Sequence, residues 1–590
     1  MGLKDIPFKP GVVADLPDRE VGTAGFWKDA DKVRFLNGLP QTMGGWVKDA
    51  VLAAILGTAR GGVDWQTTRG ERVIGVGTNV KLYVWIGGVF SDITPIRTSH
   101  TINNNPFSMT DTLTTVTVTD TAHGAVNGDY VTFSGATAAG GITIVGEYAI
   151  TYIDANSYTI THSAAATSTT SGGGAGVVAV YQINVGGVNS EAGLGWGSGA
   201  WSGSTWGTSR TVTDIVLYAR TWKLDVWGED LIASHFDGSI YVWDSSAGVG
   251  TRATLIAAAP TSNKAIFVSQ ESRHIVALGA SADPLSIKWC DSETYTDWTP
   301  TTTNSAGDAR VDQGSQLLTS VALRDQHLVF TDSAIYAMQY VGPPYTFSVK
   351  PQGLSGGLAG PNAAIAYMGL CYWMGDKNFY YFDGVAHVLD CPVFEKVFND
   401  YNVDEGFKVW AGVSVKFDEV WWLYCTEDST EIDRYVVYST VEKHWTVGTL
   451  ARTMYIGDSD VIPDVYAFSA DGYLYYHEIG TSDNGAALTS YVTSGDFEIA
   501  EGGEQLMHVS KLIPDFKRLV GAVDVLVTTK KYPQAAETQT SATLAVTSAT
   551  EFISPRVRGR QASIKLASTS TTADWRAGPM RLDLKPHGKR

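Results

Sequence analysis

Short apolar runs occur in pairs along most of the chain, and a tight polar turn separates the two members of each pair. In the clearest pair the turn is Asp237-Gly238 and the return run is Ile240–Trp243. An Asp-Gly turn between two apolar runs is a strong hairpin signal, because glycine readily adopts the positive φ that a tight turn requires. An aspartate marks the corresponding turn in five further pairs: Asp283, Asp332, Asp376, Asp418 and Asp471. The pattern therefore predicts a series of similar β-hairpins.

The spacing of these hairpins indicates a repeat architecture. Successive turn aspartates are 42 to 53 residues apart, and a period of roughly 40 to 50 residues with strands in every copy is typical of β-propeller blades. Each blade has about four short strands and buries its faces only against neighbouring blades. We therefore predict an all-β chain that forms a β-propeller of six to eight blades. An irregular all-β chain whose hairpins are evenly spaced is the alternative.

One segment interrupts the hairpin pattern. After a first hairpin with its turn at Thr78-Asn79, residues 107–181 are rich in threonine, alanine, glycine and valine and contain almost no tryptophan. Apolar and polar residues alternate with period two in this segment, which predicts half-buried strands. We expect 107–181 to form a small β-barrel or sandwich inserted in a propeller loop, with a flexible tether at 167–176.

The remaining segments follow from these two patterns. Residues 1–50 contain several prolines, which discourage helices, so we expect an extended N-terminal arm with the first strands. Residues 51–106 begin the propeller, and 182–515 continue it after the insert. Apolar positions at helical spacing predict one short helix at 392–398. Residues 516–590 are basic and are expected to close the fold or to form an interface between subunits.

Composition and charge exclude several classes of protein. The apolar fraction of 44% excludes disorder as the main state, while the net charge of −18 makes the chain a poor candidate for wrapping nucleic acid. The four cysteines form no C-x-x-C pair, and Cys290, Cys371 and Cys425, within or beside apolar strands, are expected to be buried thiols made in a reducing cytoplasm. The N-terminus has no apolar leader region, and no stretch approaches the ~20 apolar residues of a membrane span.

Two candidate contact surfaces stand out. A glycine-rich loop contains Trp196, Trp201 and Trp206 at intervals of five residues. This interval matches neither the periodicity of a strand nor that of a helix. These rings either form a shaped tip that contacts a neighbouring subunit or a cargo, or they are buried under their own loop. The second candidate is the basic C-terminal region, where an interface with acidic neighbours or phosphate competes with a solvated strand face. Its candidate contact residues are Arg556, Arg558, Arg560, Arg576 and Arg581.

Signals for catalysis are weak. The turn aspartates occupy the same position in each copy, which favours turn formation over paired-carboxylate chemistry, although propeller glycosidases take acids from such loops. The eleven histidines form no H-E-x-x-H motif and no Cys/His cluster at zinc spacing. We therefore expect no catalytic, metal or cofactor site; a Ser–His–Asp triad from residues distant in the chain remains open.

Several segments resemble one family of viral proteins. Val33-Arg-Phe-Leu-Asn-Gly-Leu-Pro followed by Gly44-Gly45-Trp46 resembles the opening of tail nozzle, or tail hub, proteins of short-tailed bacteriophages. The Gly-Trp-Gly runs near 195–207, the Trp298-Thr-Pro turn, the blade at 409–445 and the basic C-terminus are also similar to that family. The insert resembles, more weakly, small accessory modules of phage tail proteins.

The resemblance implies a structural protein of the virion rather than an enzyme. It implies six copies in a ring below an adaptor ring under the portal, tail fibres or spikes bound at the side, and a channel that retains and then releases double-stranded DNA without reading its sequence. An acidic channel wall would keep DNA mobile. Two alternatives remain: a propeller hydrolase that acts on a surface glycan, and a tail module that binds a host surface polymer.

Overall fold

The computed structural model describes residues 3–193, 216–457, 459, 461–499, 504–536 and 539–588. Trp196, Trp201 and Trp206 lie outside these described residues, so the tryptophan loop stays a prediction. Almost all regular structure is β-strand. No helix among the described residues is long and apolar enough to cross a membrane. The chain divides into two compact units, residues 55–311 and residues 1–54 with 312–590.

In residues 55–311, three antiparallel sheets of four strands follow one another in simple up-and-down order. Their second and third strands are mostly buried and therefore read as continuous apolar runs, as in Ile240–Trp243. Blade 1 comprises Ala59–Gln66, Arg72–Thr78, Leu82–Ile86 and Val89–Asp92; blade 2 comprises Trp222–Trp227, Asp230–His235, Ile240–Trp243 and Thr254–Leu255; blade 3 comprises Ala265–Ser269, His274–Leu278, Ser286–Trp289 and Gly307–Arg310.

The inserted unit lies between blades 1 and 2 in the chain and has its own core. It consists of a four-stranded and a five-stranded sheet that share one apolar cluster, including Phe107, Val131 and Ile160. The strands are Ile96–Thr101, Phe107–Met109, Thr115–Thr119, Tyr130–Ser134, Gly146–Ala149, Thr151–Asp154, Ser157–Thr161, Thr170–Gly172 and Val178–Gln182. The predicted small inserted β-domain is thus confirmed.

The structure places the limits of this unit differently from the sequence. Ile96–Thr101 pairs with Val178–Gln182, so the unit begins eleven residues before the expected start at 107. The expected tether at 167–176 is wrong, because Thr170–Gly172 is a strand that pairs with Phe107–Met109. Small residues there permit close packing: a Cβ on Gly172 would lie 2.2 Å from the Ala139 Cβ.

The other unit contains four more sheets of the same design. Blade 4 comprises Leu317–Ala322, His327–Thr331, Ala334–Gly342 and Thr346–Leu354; blade 5 comprises Ala364–Tyr367, Leu370–Met374, Phe379–Phe382 and Ala386–Leu389; blade 6 comprises Trp410–Ser414, Glu419–Tyr424, Arg434–Ser439 and Trp445–Thr449; blade 7 comprises Met454–Ile456, Tyr466–Phe468, Leu474–His477 and the N-terminal strand Trp46–Lys48. Seven blade-type sheets confirm the predicted β-propeller.

The repeated hairpins occupy one position in most blades. The turns at Asp237, Asp283, Asp332, Asp376 and Asp471 join the second and third strands of their sheets. Asp418 is the exception, because its turn joins the first two strands of blade 6. The second and third strands of that blade are joined by the longer turn 425–433, whose four acids and three hydroxyl residues hide the hairpin pattern.

Both ends of the chain form the terminal β region, which has three sheets. The first contains Leu3–Ile6, Met580–Pro586, Met507–Ile513 and Val557–Gly559 in that order; the second contains Trp27–Asp31, Ser490–Ser494, Gln561–Ser568, Val523–Lys530 and Gln539–Thr540, with Phe497–Glu498 and Leu544–Val546 at its sides; the third contains Val33–Leu36, Leu39–Thr42, Asp574–Ala577 and Phe516–Val520. Short strand pairs Glu191–Ala192 with Val216–Leu217, and Ser482–Asp483 with Ala486–Ala487, complete the strands.

The N-terminal segment is not the extended arm that its prolines predict. Asp18–Ala24 is an α-helix with Pro17 at its N-cap and two acids in its first turn. Proline is tolerated at a helix start, because the first backbone N–H groups have no partner within the helix, and acids there favour the helix dipole. Phe394–Phe398 is the short helix predicted at 392–398. Short 3₁₀ helices span Ser245–Ala247, Val403–Lys408 and Val415–Phe417.

Candidate functional site

The arginines predicted as contact residues fall into two groups. Arg558 lies on the edge strand Val557–Gly559 of the first terminal sheet, and Arg556 and Arg560 flank that strand. Arg556 is exposed and the other two are half-buried. The backbone of Arg558 is fixed on both sides, since its N–H donates to Gln539 Oε1 at 2.8 Å and its carbonyl accepts from Thr529 at 3.0 Å. This backbone anchoring holds the strand that carries the arginine side chains.

The other two predicted arginines have partners within the chain. Arg576 donates through Nη2 to the carbonyl of Leu36, which ties the C-terminal strand to the N-terminal hairpin. Arg581 lies 2.9 Å from the Asp5 carboxylate, and both side chains are exposed. Arg576 therefore joins the two chain ends. The predicted role of these residues in contacts between subunits stays a prediction.

The strand register extends the basic surface to residues that the sequence did not single out. His508 lies directly opposite Arg558 on one side and Lys585 on the other. Alternate residues of these strands are buried, so Arg558, His508 and Lys585 share the opposite, outer face of the sheet. We call these three residues the basic row. Neighbouring strands are about 4.8 Å apart, so the row spans about 10 Å.

The charges of the basic row are not neutralised by described carboxylates. Neither Arg558 nor Lys585 forms an ion pair with an acid in the part of the chain that the structure describes. The nearest strand acid, Asp583, accepts instead from Ser510 Oγ at 2.7 Å. Two cationic side chains, about 10 Å apart, thus lie on the outer face of this sheet without a carboxylate partner among the described residues.

The segments that resemble nozzle proteins hold buried structural positions. Arg34 is fully buried and donates to both Glu419 carboxylate oxygens at 3.0 Å and lies 2.8 Å from Glu478. These two acids belong to blade 6 and to the segment after blade 7. Burial lowers the pKa of the Arg34 guanidinium, but the two carboxylates outweigh it and raise that pKa overall. The ion triad is therefore a buried clamp on the N-terminal hairpin.

The glycines and tryptophan of the same segment close blade 7. A Cβ on Gly45 would lie 2.4 Å from the Ser482 carbonyl, so only glycine permits this approach of the two backbones. Trp46 follows directly, is 5% exposed, and pairs with His477. Its indole N–H donates to Asp483. The short motif thus supplies the fourth strand of the last blade.

The base of the tryptophan loop is described even though its tip is not. Glu191–Ala192 pairs with Val216–Leu217, so the two ends of the loop are held side by side. A concavity of about 420 Å³ lies at this base, lined by Arg220 and His235 among others. Burial lowers the pKa of Arg220 to about 10, and burial together with the Arg220 charge lowers the pKa of His235 to about 3. His235 is therefore neutral at physiological pH.

Most turn aspartates act locally, as predicted for turn-forming residues. Asp237 has φ = 60° and pairs with Lys264, while Asp418 has φ = 55° and accepts from the Tyr367 hydroxyl at 2.7 Å. Asp332 and Asp376, on blades 4 and 5, are the pair whose charges interact. Burial raises the pKa of Asp376, the charge of Lys377 lowers it, and the charge of Asp332 raises it again, so that the pKa is raised overall.

The described residues hold no group of three or more histidine, cysteine or acidic side chains arranged to bind a metal. None of the four cysteines, all of them within the described residues, forms a disulfide; Cys290, Cys371 and Cys425 are buried and Cys391 is half-buried. Burial raises the pKa of Cys290 to about 12, so that thiol is protonated and unreactive at neutral pH.

Comparisons with known proteins leave the family of the chain open. No protein-family model and no curated protein sequence matches it. Similar solved structures include an endosialidase of phage phi92, with 10% identity over 72% of this chain and 64% of that chain and a TM-score of 0.19. BamB from Moraxella catarrhalis shows 12% identity over 44% of this chain and 81% of that chain, with a TM-score of 0.25. The N-terminal domain of Nup159 shows 11% identity over 43% of this chain and 74% of that chain, with a TM-score of 0.26.

The chain spans less than two thirds of the endosialidase. Similarities of this size support no statement about activity or partners.

Proposed function

We propose that the chain is a structural protein of a bacteriophage tail, a nozzle whose copies form a ring around the channel through which DNA leaves the virion. The ring has six copies, contacts the adaptor ring below the portal and carries fibres or spikes at its side. It retains the packaged genome and lets it pass during ejection. The protein is made in the host cytoplasm and becomes part of the virion tail.

The observation that carries this proposal is the place of residues 33–46. The residues that resemble the nozzle family are the buried ones that hold the N-terminal segment to blades 6 and 7: Arg34 binds Glu419 and Glu478, and Trp46 begins the fourth strand of blade 7. Side chains in such positions are constrained by the architecture, so a matching string there supports a shared architecture. The basic row supports a role in assembly, because Arg558 and Lys585 form no ion pair with a carboxylate among the described residues.

Electron microscopy of the purified protein tests the proposal. We expect closed rings with a central channel wide enough for a DNA duplex, alone or after addition of adaptor rings. Mass spectrometry of purified virions is expected to find the chain in tail fractions. Monomers at every protein concentration, with and without adaptor rings, would contradict the proposal.

The interaction between Asp332 and Asp376 favours a second candidate, a glycan hydrolase. Glycosidases use two carboxylates of which one has a raised pKa and acts as the general acid. In such an enzyme Asp376 would be the acid and Asp332 the nucleophile or base. D332N and D376N would each lower cleavage of a capsular glycan by ~10²-fold or more, whereas D471N, at the same turn position in blade 7, would not. Absence of any glycan cleavage by the wild-type protein rules this candidate out.

A further inference from the structure

The basic row is a surface that the folded chain does not satisfy. Arg558, His508 and Lys585 lie side by side on three neighbouring strands, and the His587 ring lies 6.2 Å from that of His508. On the same strand as His508, Lys511 lies opposite Asp583, and its ammonium lies over the Phe552 ring at 4.2 Å. Arg558 and Lys585 therefore offer two charges that a negative partner from outside would neutralise.

A surface of the opposite sign lies on blade 6. The turn between its second and third strands contains Glu427, Asp428, Glu431 and Asp433, four acids within seven residues without a lysine or arginine among them. Glu427 and Asp428 are exposed, and the backbone N–H of Glu427 donates to the Asp400 carbonyl at 2.7 Å. We call these four residues, with Asp400, the acidic turn.

The acids of this turn repel one another, as the pKa of Asp400 shows. Burial raises the pKa of Asp400, Arg434 lowers it, and the charges of Asp433, Asp428 and Glu427 raise it again. Arg434 is a distant partner, at 4.0 Å from the Asp400 carboxylate. Asp433 is occupied by the Thr426 N–H and hydroxyl, whereas the exposed carboxylates of Glu427 and Asp428 form no ion pair within 4.0 Å among the described residues.

The charge of the whole chain is divided in the same way. Residues 516–590 carry 13 basic and 5 acidic side chains, a net charge of +8, so the other residues carry −18 − 8 = −26. A second copy of this chain is therefore a strongly acidic partner for the basic region. Contact between two different faces of identical chains is heterologous, and such contacts close into rings when the rotation between copies permits it.

We infer that the basic row of one copy contacts the acidic turn of blade 6 on the next copy, and that this contact joins the copies of the assembly. This inference rests on the proposed ring and names the faces that form it. It assigns the basic row to a protein partner rather than to DNA, because the acidic turn offers the complementary charge on the same molecule. Such a contact weakens as salt screens the charges.

Charge reversal on each face tests the inference. R558E/K585E reverses the basic row, and E427K/D428K reverses the acidic turn. We expect each variant alone to weaken self-association at least tenfold in sedimentation and mass photometry. Equal amounts of the two variants are expected to assemble together, because each then presents the face that the other requires. A chain with all four substitutions is expected to assemble by itself.

Matched variants make the result specific. K350E/K517E changes the net charge by the same amount at exposed sites elsewhere and is expected to leave assembly unchanged. R558Q/K585Q keeps polar side chains of similar length and is expected to weaken assembly less than the reversal. Circular dichroism on each variant shows whether the fold is retained, and the rescue by mixing excludes simple misfolding.

The outcomes separate this inference from the proposed function. Rings that survive both reversals overturn the inference and leave the nozzle proposal intact. Loss of duplex DNA binding by R558E/K585E with assembly unchanged shows that the partner is DNA and also overturns it. A wild-type protein that remains monomeric overturns both.

Discussion

The inserted unit and the terminal β region are built in opposite ways. Residues 96–182 form the insert as one continuous segment with its own apolar core. The terminal β region joins strands from both ends of the chain, as in the pair Leu3–Ile6 with Met580–Pro586. The first depends on contacts that are local in sequence, and the second closes loops of hundreds of residues. Local contacts form early and at little entropic cost, whereas distant pairings depend on the rest of the fold.

The two regions also attach to the blades by different chemistry. At the insert, Lys81 of blade 1 lies 2.7 Å from Asp92 and 2.6 Å from Glu147 of the insert, and Arg252 of blade 2 lies 2.5 Å from Asp92. At the terminal region, the fully buried Arg34 is held by two acids. Lys81 is buried, but Asp92, Glu147 and Arg252 are partly exposed, so water replaces part of what the loss of one of them removes. The loss of Arg34 from the buried triad is therefore expected to cost more.

The largest expected effect is therefore on the buried triad. R34M leaves Glu419 with its carboxylate buried and without its cation, and the cost of breaking such a pair is about 3–5 kcal/mol. We expect that loss in the free energy of unfolding measured with urea, or a protein whose terminal region does not fold. Simultaneous replacement, R34M/E419L/E478Q, is expected to recover much of the loss because no buried charge is left unpaired.

An exposed pair provides the control for this experiment. Arg310 and Asp283 lie 2.7 Å apart, but their side chains are 60% and 41% exposed. R310M is expected to change the free energy of unfolding by less than about 1 kcal/mol. Equal losses for R34M and R310M would show that the triad is not the clamp described above.

Removal of the insert is expected to have a smaller effect. Replacing residues 96–182 by a short glycine–serine linker removes Glu147 from Lys81 but leaves the pair of Lys81 with Asp92. We expect a loss of about 3 kcal/mol in the unfolding of the remaining chain, the size of one charge-assisted hydrogen bond. The excised insert is expected to fold alone, with a cooperative thermal transition by circular dichroism. A disordered excised insert would contradict the idea that its core is self-sufficient.

Acid is expected to act on the same network. Burial raises the pKa of Asp92, but hydrogen bonds from Lys81 and Thr94 and the charges of Lys81 and Arg252 outweigh it, so the pKa is lowered below its ordinary 3.8. A lowered carboxyl pKa gives stability that is present above 3.8 and lost as the pH falls below it toward the folded value. D92N should be less stable by about 2 kcal/mol at pH 7 and should lose less stability than the wild type below pH 3.8. Parallel pH curves for the two proteins would contradict this.

The sequence predicts the local elements better than the long-range ones. The Val33–Leu36 strand, the Asn37-Gly38 turn and the blade hairpins follow from period-two patterns and turn residues, and the structure has them. The sequence does not predict the helix Asp18–Ala24, because the prolines near it favour an extended segment. In the structure Pro17 lies at the N-cap of this helix. The start of the insert at Ile96 was missed because its pairing with Val178–Gln182 is decided by tertiary contact.

The candidate site shows the same limit. The arginines at 556–560 are visible as a cluster, but only strand register places His508 beside Arg558, and Lys585 on the other side of His508. Likewise, Arg576 carries the same charge as Arg558, and only the structure shows that it binds the Leu36 carbonyl. Charge can be read from a sequence, whereas the face on which it lies depends on pairing.

The smallest expected effect compares one glycine in each region. Gly38 in the terminal hairpin has φ = 76°, Gly146 in the insert has φ = 97°, and neither has an atom within 4 Å of an added Cβ. Alanine at either site therefore meets only the backbone penalty of the left-handed region, about 1–2 kcal/mol. We expect G38A and G146A to cost similar amounts in urea unfolding, and G176A, which has no left-handed φ, to cost less. A much larger cost for G38A would mean that the hairpin strain reaches the Arg34 clamp, so that the terminal region transmits local damage which the insert confines.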